Sequence, residues 1–446
     1  ENFIYGMPIG WYINEDVIVK MDKNKGSYIP FVRDGEELPF EYPLEKLFDT
    51  DVFKPVGIVA DSDSLIILLH EKDSDEISES TLVMIDKKTA EVKNQPVKTG
   101  RLTAVAVSPD DALYGTDGKI VYSINTDNGK LKPLPLPGLA AVSAIAVDQQ
   151  GNIVVADAGP DRQIKIYTTE GKQIGTCGKR GGRAIRGEFD RDAIGEVSSV
   201  AADSKGQIWV VEKGSLPRRV SVWNPEGGLV HDYIGNTAYA GTRCYLHDSD
   251  PSVAYVGPIE LKLDKANRSW EVSRILWNPD PDVEGECFYI GPGGNSFSIG
   301  EFAHPQRFSA EVNGKLNEYM FVPPYRDFEG YKFFMETENG WQPVSAVTTV
   351  GQISGSVDRK SRKTIEEPSG EFAGLHPFDA VIWNDTNGDG RVQFDECDII
   401  KLDKPRKGPA EIEVPIPMGS GWGGACYTGF CILCRRDLSL PPDRLQ

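Results

Sequence analysis

At 446 residues with a formal net charge of −19, 39% hydrophobic residues, 46 Gly and 30 Pro, the chain has the composition of a folded, acidic protein built from many short strands. That charge excludes a nucleic-acid binder, whose ligand demands basic faces, and a protein that docks on anionic lipid. No run approaches the eighteen or so apolar residues of a membrane span, and Glu1 opens the chain without a signal-like stretch, so it reads as processed or trimmed.

In chain order, the first strand signal is VIVK at 17–20. From Gly57 a longer pattern recurs: an apolar strand ending near Asp, a polar turn, a second strand, a polar gap and a third strand. The clearest copy runs from Ala144 to Asp148, turns at Gly151, and continues from Asn152 to Asp157 and from Ile164 to Tyr167. Another runs from Ser199 to Asp203, turns at Gly206, and continues from Gln207 to Glu212 and from Arg219 to Trp223. Weaker copies begin at Gly57 and Ala104. The equivalent points Gly57, Ala104, Ala144 and Ser199 are 47, 40 and 55 residues apart, the size of a four-stranded propeller blade with loop insertions. So thin a unit cannot bury its own apolar face, and neighbouring copies must stack.

The wording AIAVDQQGNIVVADAGPDRQIKIYTTEGKQIG resembles the NHL repeat along most of a blade, and the resemblance holds over about residues 50–236. It implies a β-propeller. GKRGGR at 178–183 and PRRVSVW at 217–223 are also similar to uncharacterised secreted bacterial proteins of NHL type, which implies no activity.

Past Gly241 strands continue without the repeat's wording. Residues 254–256, 259–263 and 275–277 suggest a fifth blade, and 288–290, 319–322 and 331–334 a sixth. Residues 380–383, 399–402 and 431–433 suggest a seventh, which 17–20 can complete from the other end of the chain. The expected fold is all-β, a single β-propeller over 1–446 with seven blades, or six if one group is an insertion. NHL-like blades occupy 50–236, divergent blades 237–376, and a last blade 377–446 carries an inserted calcium loop.

That loop, residues 385–396, matches the twelve-residue EF-hand-type pattern position by position. Calcium needs six to eight oxygens. Asp385, Asn387 and Asp389 supply them at positions 1, 3 and 5, Arg391 offers its carbonyl at 7, Gln393 acts through water at 9, and Glu396 is bidentate at 12. Gly390 at position 6 permits the turn. Strand-like flanks and the lack of a paired second loop make it a structural staple rather than a sensor.

The basic stretch Lys179, Arg180, Arg183, Arg186 and Arg191 stands out against the acidic background and could clasp carboxylates or sulfates of an acidic glycan. Salt bridges to acidic neighbours such as Asp190 are the plainer reading. Of five histidines, His304 and His376 precede prolines and are weak catalytic candidates. The amidating lyases among NHL-type propellers combine zinc-binding histidines with calcium, but no His here recurs at a matched repeat position. Seven cysteines include Cys426, Cys431 and Cys434 near the end; CxxC at 431–434 has no second CxxC and no following His, so a disulfide or buried thiols are expected.

Two functions remain open at this level. One is a secreted or cell-surface, non-catalytic, calcium-binding propeller that presents loops to a protein partner or glycan and can join a larger assembly. The other is a lyase or hydrolase of acidic polysaccharide, with the basic stretch binding carboxylates and His304 or His376 moving protons.

Overall fold

The computed structural model describes residues 3–7, 17–72, 78–214, 217–235, 244–247, 250–276, 306–312, 314–322, 331–338, 340–354, 367–401, 406–407 and 413–414. These residues are all-β, apart from short 3-10 turns and one five-residue helix, Val350–Ser354. They fall into two compact units. The first takes 1–184, 190–214 and 218–234; the second takes 185–189, 215–217 and 235–446. The boundary after Ile234 lies close to where the repeat's wording fades.

The first unit holds four regular sheets, each of four antiparallel strands in sequence order. They are Phe53–Ala60 to Val97–Gly100, Ala104–Val107 to Leu131–Pro133, Val142–Val147 to Gln173–Cys177, and Val197–Ala202 to Leu229–Ile234. The first strand of each sheet neighbours the first strand of the next. Sheets stack because side chains alternate across a strand. Ile153 and Val155 join a core with Ala106, Val121 and Tyr167, on the side of the preceding sheet. Val154 and Ala156 turn the other way, into a core with Val200, Ile208, Val210 and Trp223 of the following sheet. Likewise Leu65, Ile67 and Leu69 pack with Ile18 and Phe31, while Ile66 and Leu68 pack with Leu102, Val105 and Leu113. A strand covered on both faces must be apolar throughout, which is why Ser64–Glu71 reads SLIILLHE. Each such side chain contributes about 1.5–3 kcal/mol of burial.

The repeat's Asp has a local cause. Asp148 Oδ1 accepts the N–H groups of Gln150 (2.9 Å) and Asn152 (2.8 Å), and Asp203 Oδ1 those of Lys205 (2.8 Å) and Gln207 (2.9 Å). The carboxylate thus closes the turn between the first and second strands.

Two expectations are corrected. Residues 17–20 do not join the last sheet: Val17–Asp22 pairs with Phe3–Gly6, Ser27–Tyr28 and Tyr42–Pro43 in an N-terminal sheet of its own. Local hairpins and the cover of Ile18 by Phe31, Tyr42 and Leu65 decide that placement. The supposed sixth and seventh groups also form one sheet. In the second unit Gln306–Val312, Lys315–Val322, Tyr331–Thr337, Gly340–Thr349, Ala380–Asn384 and Cys397–Ile400 make a continuous six-stranded antiparallel sheet. The ten-residue strand Gly340–Thr349, overlooked in the sequence, joins both halves by pairing on each edge. A five-stranded sheet accompanies it, and Gly187–Glu188 from the basic stretch forms its edge against Ser269–Ile275. Tyr255 and Leu276 pack with Met320, Phe334, Ala346 and Trp383 in this unit's core. Residues 277, 288–290, 402 and 431–433 lie outside the described residues.

Candidate metal centre and charged clusters

The loop 385–396 joins Ala380–Asn384 to Cys397–Ile400, so a β-hairpin, not a helix pair, carries it. Asp385 organises its first half. Its Oδ1 accepts the N–H groups of Gly388 (2.8 Å) and Asp389 (3.1 Å), and its Oδ2 that of Gly390 (2.9 Å). Asn387 Oδ1 accepts from Asp389 N, and Asp389 Oδ1 from Arg391 N, both at 2.8 Å. Gly390 at φ 69° takes the left-handed turn that a side chain would strain. Phe394–Glu396 form a 3-10 turn that swings Glu396 back to the start of the loop.

There Glu396 Oε1 accepts from Thr386 N (2.8 Å), Thr386 Oγ1 (2.8 Å) and Asn387 N (3.2 Å), while Oε2 accepts from the buried Trp383 Nε1 (3.1 Å). Burial acts to raise the Glu396 carboxyl, but these donors outweigh it and hold it below the usual range. Gln342 reaches in from the neighbouring strand, its Nε2 2.8 Å from Gly388 O and 3.3 Å from Asp385 Oδ2. Gln393 Nε2 donates to Asp389 Oδ2 (2.8 Å), whereas Gln393 Oε1 is a buried acceptor with no hydrogen-bond donor.

Among the described residues no three His, Cys, Asp or Glu side chains gather around one point as metal ligands. The donor set nevertheless fits a hard cation: every ligand position offers oxygen, and the orphaned Gln393 Oε1 lacks the positive partner that a cation or its water would supply. The motif identified the loop itself; Gln342 and Trp383 lie outside its twelve positions and carry no sequence signal.

The basic stretch is largely neutralised in place. Lys179 Nζ lies 2.5 Å from Asp190 Oδ2, Arg180 Nε 2.7 Å from Asp161 Oδ1, and Arg191 Nη2 2.6 Å from Asp232 Oδ1. Arg183 pairs with Glu212 in a fully buried contact. Glu212 also receives Arg219 Nη1 (3.0 Å), whose guanidinium donates to the carbonyls of Ala193 (3.1 Å) and Arg191 (2.5 Å). Arg186 belongs to the second unit, its guanidinium against Gly340, where an added β-carbon would meet it at 2.5 Å.

His304 lies outside the described residues. His376 is exposed and shapes a turn: its N–H donates to Asp379 Oδ2 (3.1 Å) and its Nδ1 accepts from Phe378 N (3.2 Å). A different cluster went unseen in the sequence. Within the second unit Arg307 donates to Glu260 (2.7 Å), Glu336 (2.9 Å) and Glu318 (3.3 Å) and stands 5.3 Å from the ring centres of both Tyr255 and Trp341. Arg274 pairs with Glu336, and His247 Nε2 lies 3.7 Å from Glu318 Oε2. Apart from His247, these residues come from seven different strands, so no linear spacing announces them.

Cys177, Cys244 and Cys397 are thiols; Cys287, Cys426, Cys431 and Cys434 lie outside the described residues. Burial pushes the Cys177 and Cys397 thiols up to about 12.

Fold and site together define an all-β protein of repeated four-stranded antiparallel sheets with an Asp-, Asn- and Gly-rich loop, residues 385–396, between Ala380–Asn384 and Cys397–Ile400. No family description and no curated protein matches the chain. Among solved structures it is similar to virginiamycin B lyase from Staphylococcus aureus, at TM-score 0.32 and 14% identity over 66% of this chain and 84% of that one. It is also similar to hydrazine synthase of Kuenenia stuttgartiensis, at TM-score 0.31 and 14% identity over 80% and 97%. A luciferin-regenerating enzyme gives TM-score 0.29 and 15% identity over 47% and 80%. Likenesses this distant carry no activity to this chain.

Proposed function

We propose that the chain is a secreted, calcium-stabilised β-propeller of NHL type that acts as a non-catalytic binding or assembly module for a protein partner or glycan. Seven blades suit it: the N-terminal sheet, the four regular sheets, and the five- and six-stranded sheets number seven among the described residues. The observation that carries the calcium reading is Gln393 Oε1, a buried acceptor without a donor inside a loop whose ligand positions all bear oxygen. At the millimolar calcium outside cells, a site with a dissociation constant of about 10⁻⁴ to 10⁻³ M is filled.

The His, Tyr and Arg grouping that an acidic-polysaccharide enzyme needs exists at His247, Tyr255 and Arg307. Three glutamates face two arginines there, however, so the local charge opposes a polyanion. Buried Arg307 is also spent on Glu260 and Glu336 rather than directed at a ligand. This favours the binding role over the lyase or hydrolase.

Calcium bound per chain, measured after dialysis of wild type and Glu396→Gln, tests the metal half; equal content sinks it. An array of neutral and acidic glycans, read alongside an assay for unsaturated uronate products, tests the other half. New products from uronate polymers would replace the binding role with catalysis.

A further inference from the structure

Resting on the calcium reading of the loop, we propose that Thr386, which is not a ligand in the motif, sets the loop's cation affinity by competing for Glu396. A bidentate grip needs both carboxylate oxygens turned toward the ion. Here Oε1 already receives three donors, two of them from Thr386: the N–H and the hydroxyl, each at 2.8 Å. A carboxylate oxygen has about two lone-pair sites, so three donors saturate it. Cation entry must therefore strip at least one of them.

The backbone N–H groups are held by the hairpin and cannot leave without remodelling the turn. The hydroxyl can leave by rotation about one side-chain bond, and Thr386 is exposed, so water replaces Glu396 as its partner. The Trp383 bond to Oε2 anchors the other oxygen from a side chain with no exposed surface, so Glu396 turns about a fixed point instead of swinging free. The loop without its ion is thus closed on itself, with Thr386 occupying Oε1.

Hydrogen bonds to charged groups are strong enough for the loss of this one to matter. Thr386→Val keeps the side chain's shape and removes the competing hydroxyl. Calorimetric calcium titration should show it binding roughly tenfold tighter than wild type, while Thr386→Ser, which restores the hydroxyl, stays within about twofold of wild type. Circular dichroism confirms folding of each protein, and Thr386→Ala replaces the valine variant if that one does not fold. Equal or weaker binding by the hydroxyl-free variant overturns the proposal and leaves the calcium site standing, as does equal tightening by the serine variant. Absence of calcium binding by every folded variant, wild type included, overturns the calcium reading and this proposal together.

Discussion

The α-carbon of Gly171 rests against the carbonyl oxygen of Pro135, so closely that a β-carbon there would lie 2.1 Å from it. The contact recurs. Gly129 meets Lys98 O and Gly227 meets Thr176 O, at 1.9 Å and 2.2 Å for the added atom. All three glycines sit at positive φ in the turn before the last strand of their sheet. Each touches the backbone at the outer edge of the sheet before it. The glycine of the repeat is thus required by stacking as well as by the turn.

Gly171→Ala and Gly227→Ala should each destabilise the protein by about 3 kcal/mol or more, since left-handed strain adds to a backbone clash. Gly151 has the same turn conformation, φ 82°, and nothing within 4 Å, so Gly151→Ala should cost only about 1 kcal/mol. Urea denaturation of the three variants checks the ordering. Equal losses would mean that the turn alone requires glycine.

Charge removal within the basic region should divide sharply by depth. Arg219→Met leaves Glu212 buried beside a lost partner and should cost about 3–5 kcal/mol. Arg180→Ala removes a largely exposed partner of Asp161 and should cost under about 1 kcal/mol. Thermal unfolding separates the two. A silent Arg219→Met would show that the buried network contributes nothing net.

Acid should weaken the first unit through Asp157 and Asp232. Burial acts to raise both carboxyls, but Lys165 and the Gly159 and Ala141 N–H groups at Asp157, and Arg191 and Arg219 at Asp232, outweigh it and hold them low. A carboxyl depressed on folding adds stability above its unfolded value of about 3.9, and that stability is lost as pH falls through the folded value. Lys165 is shifted the other way: burial acts to lower it, yet Asp157 and Asp161 raise it. Its contribution is complete below about 10.4 and fades as pH rises through the folded value. Stability against pH should therefore form a plateau that falls in acid, with a shallower acid limb in Asp157→Asn. An unchanged limb in that variant would remove Asp157 from the account.

Calcium at a hundred times its dissociation constant should add about 2.7 kcal/mol to the unfolding free energy, and chelation should reverse it. Asp385→Asn should abolish the response, because Asp385 also gathers the Gly388, Asp389 and Gly390 N–H groups. A melting temperature indifferent to calcium and chelator in the wild type would refute the staple.

Thiol reactivity should follow burial. Among the described thiols at pH 8, Cys244, which is exposed, should alkylate before Cys177 and Cys397, whose thiols, near 12, should react only on unfolding. Peptide mapping after timed alkylation reads each site, and rapid native labelling of Cys177 would contradict the packed third sheet.

Local chemistry determined what was legible in the chain. Asp148 and Asp203 announce their turns because a carboxylate closing on the N–H groups two and four residues later is a short-range event. The apolar strands between such turns carry the period of the sheet, and the loop at 385–396 carries its turn-forming Asp, Asn and Gly in order, so both turns could be read without coordinates. Tertiary structure alone decided the rest. The pairing of Ala380–Asn384 with Gly340–Thr349 merged two expected blades into one sheet, and neither segment's sequence names its partner. The depth of Arg183 against Arg180, the seating of Arg307 between Tyr255 and Trp341, and the reach of Gln342 into the 385–396 loop all depend on residues far apart in the chain. Their energies come from burial and from partners on other strands, which only the folded arrangement brings together.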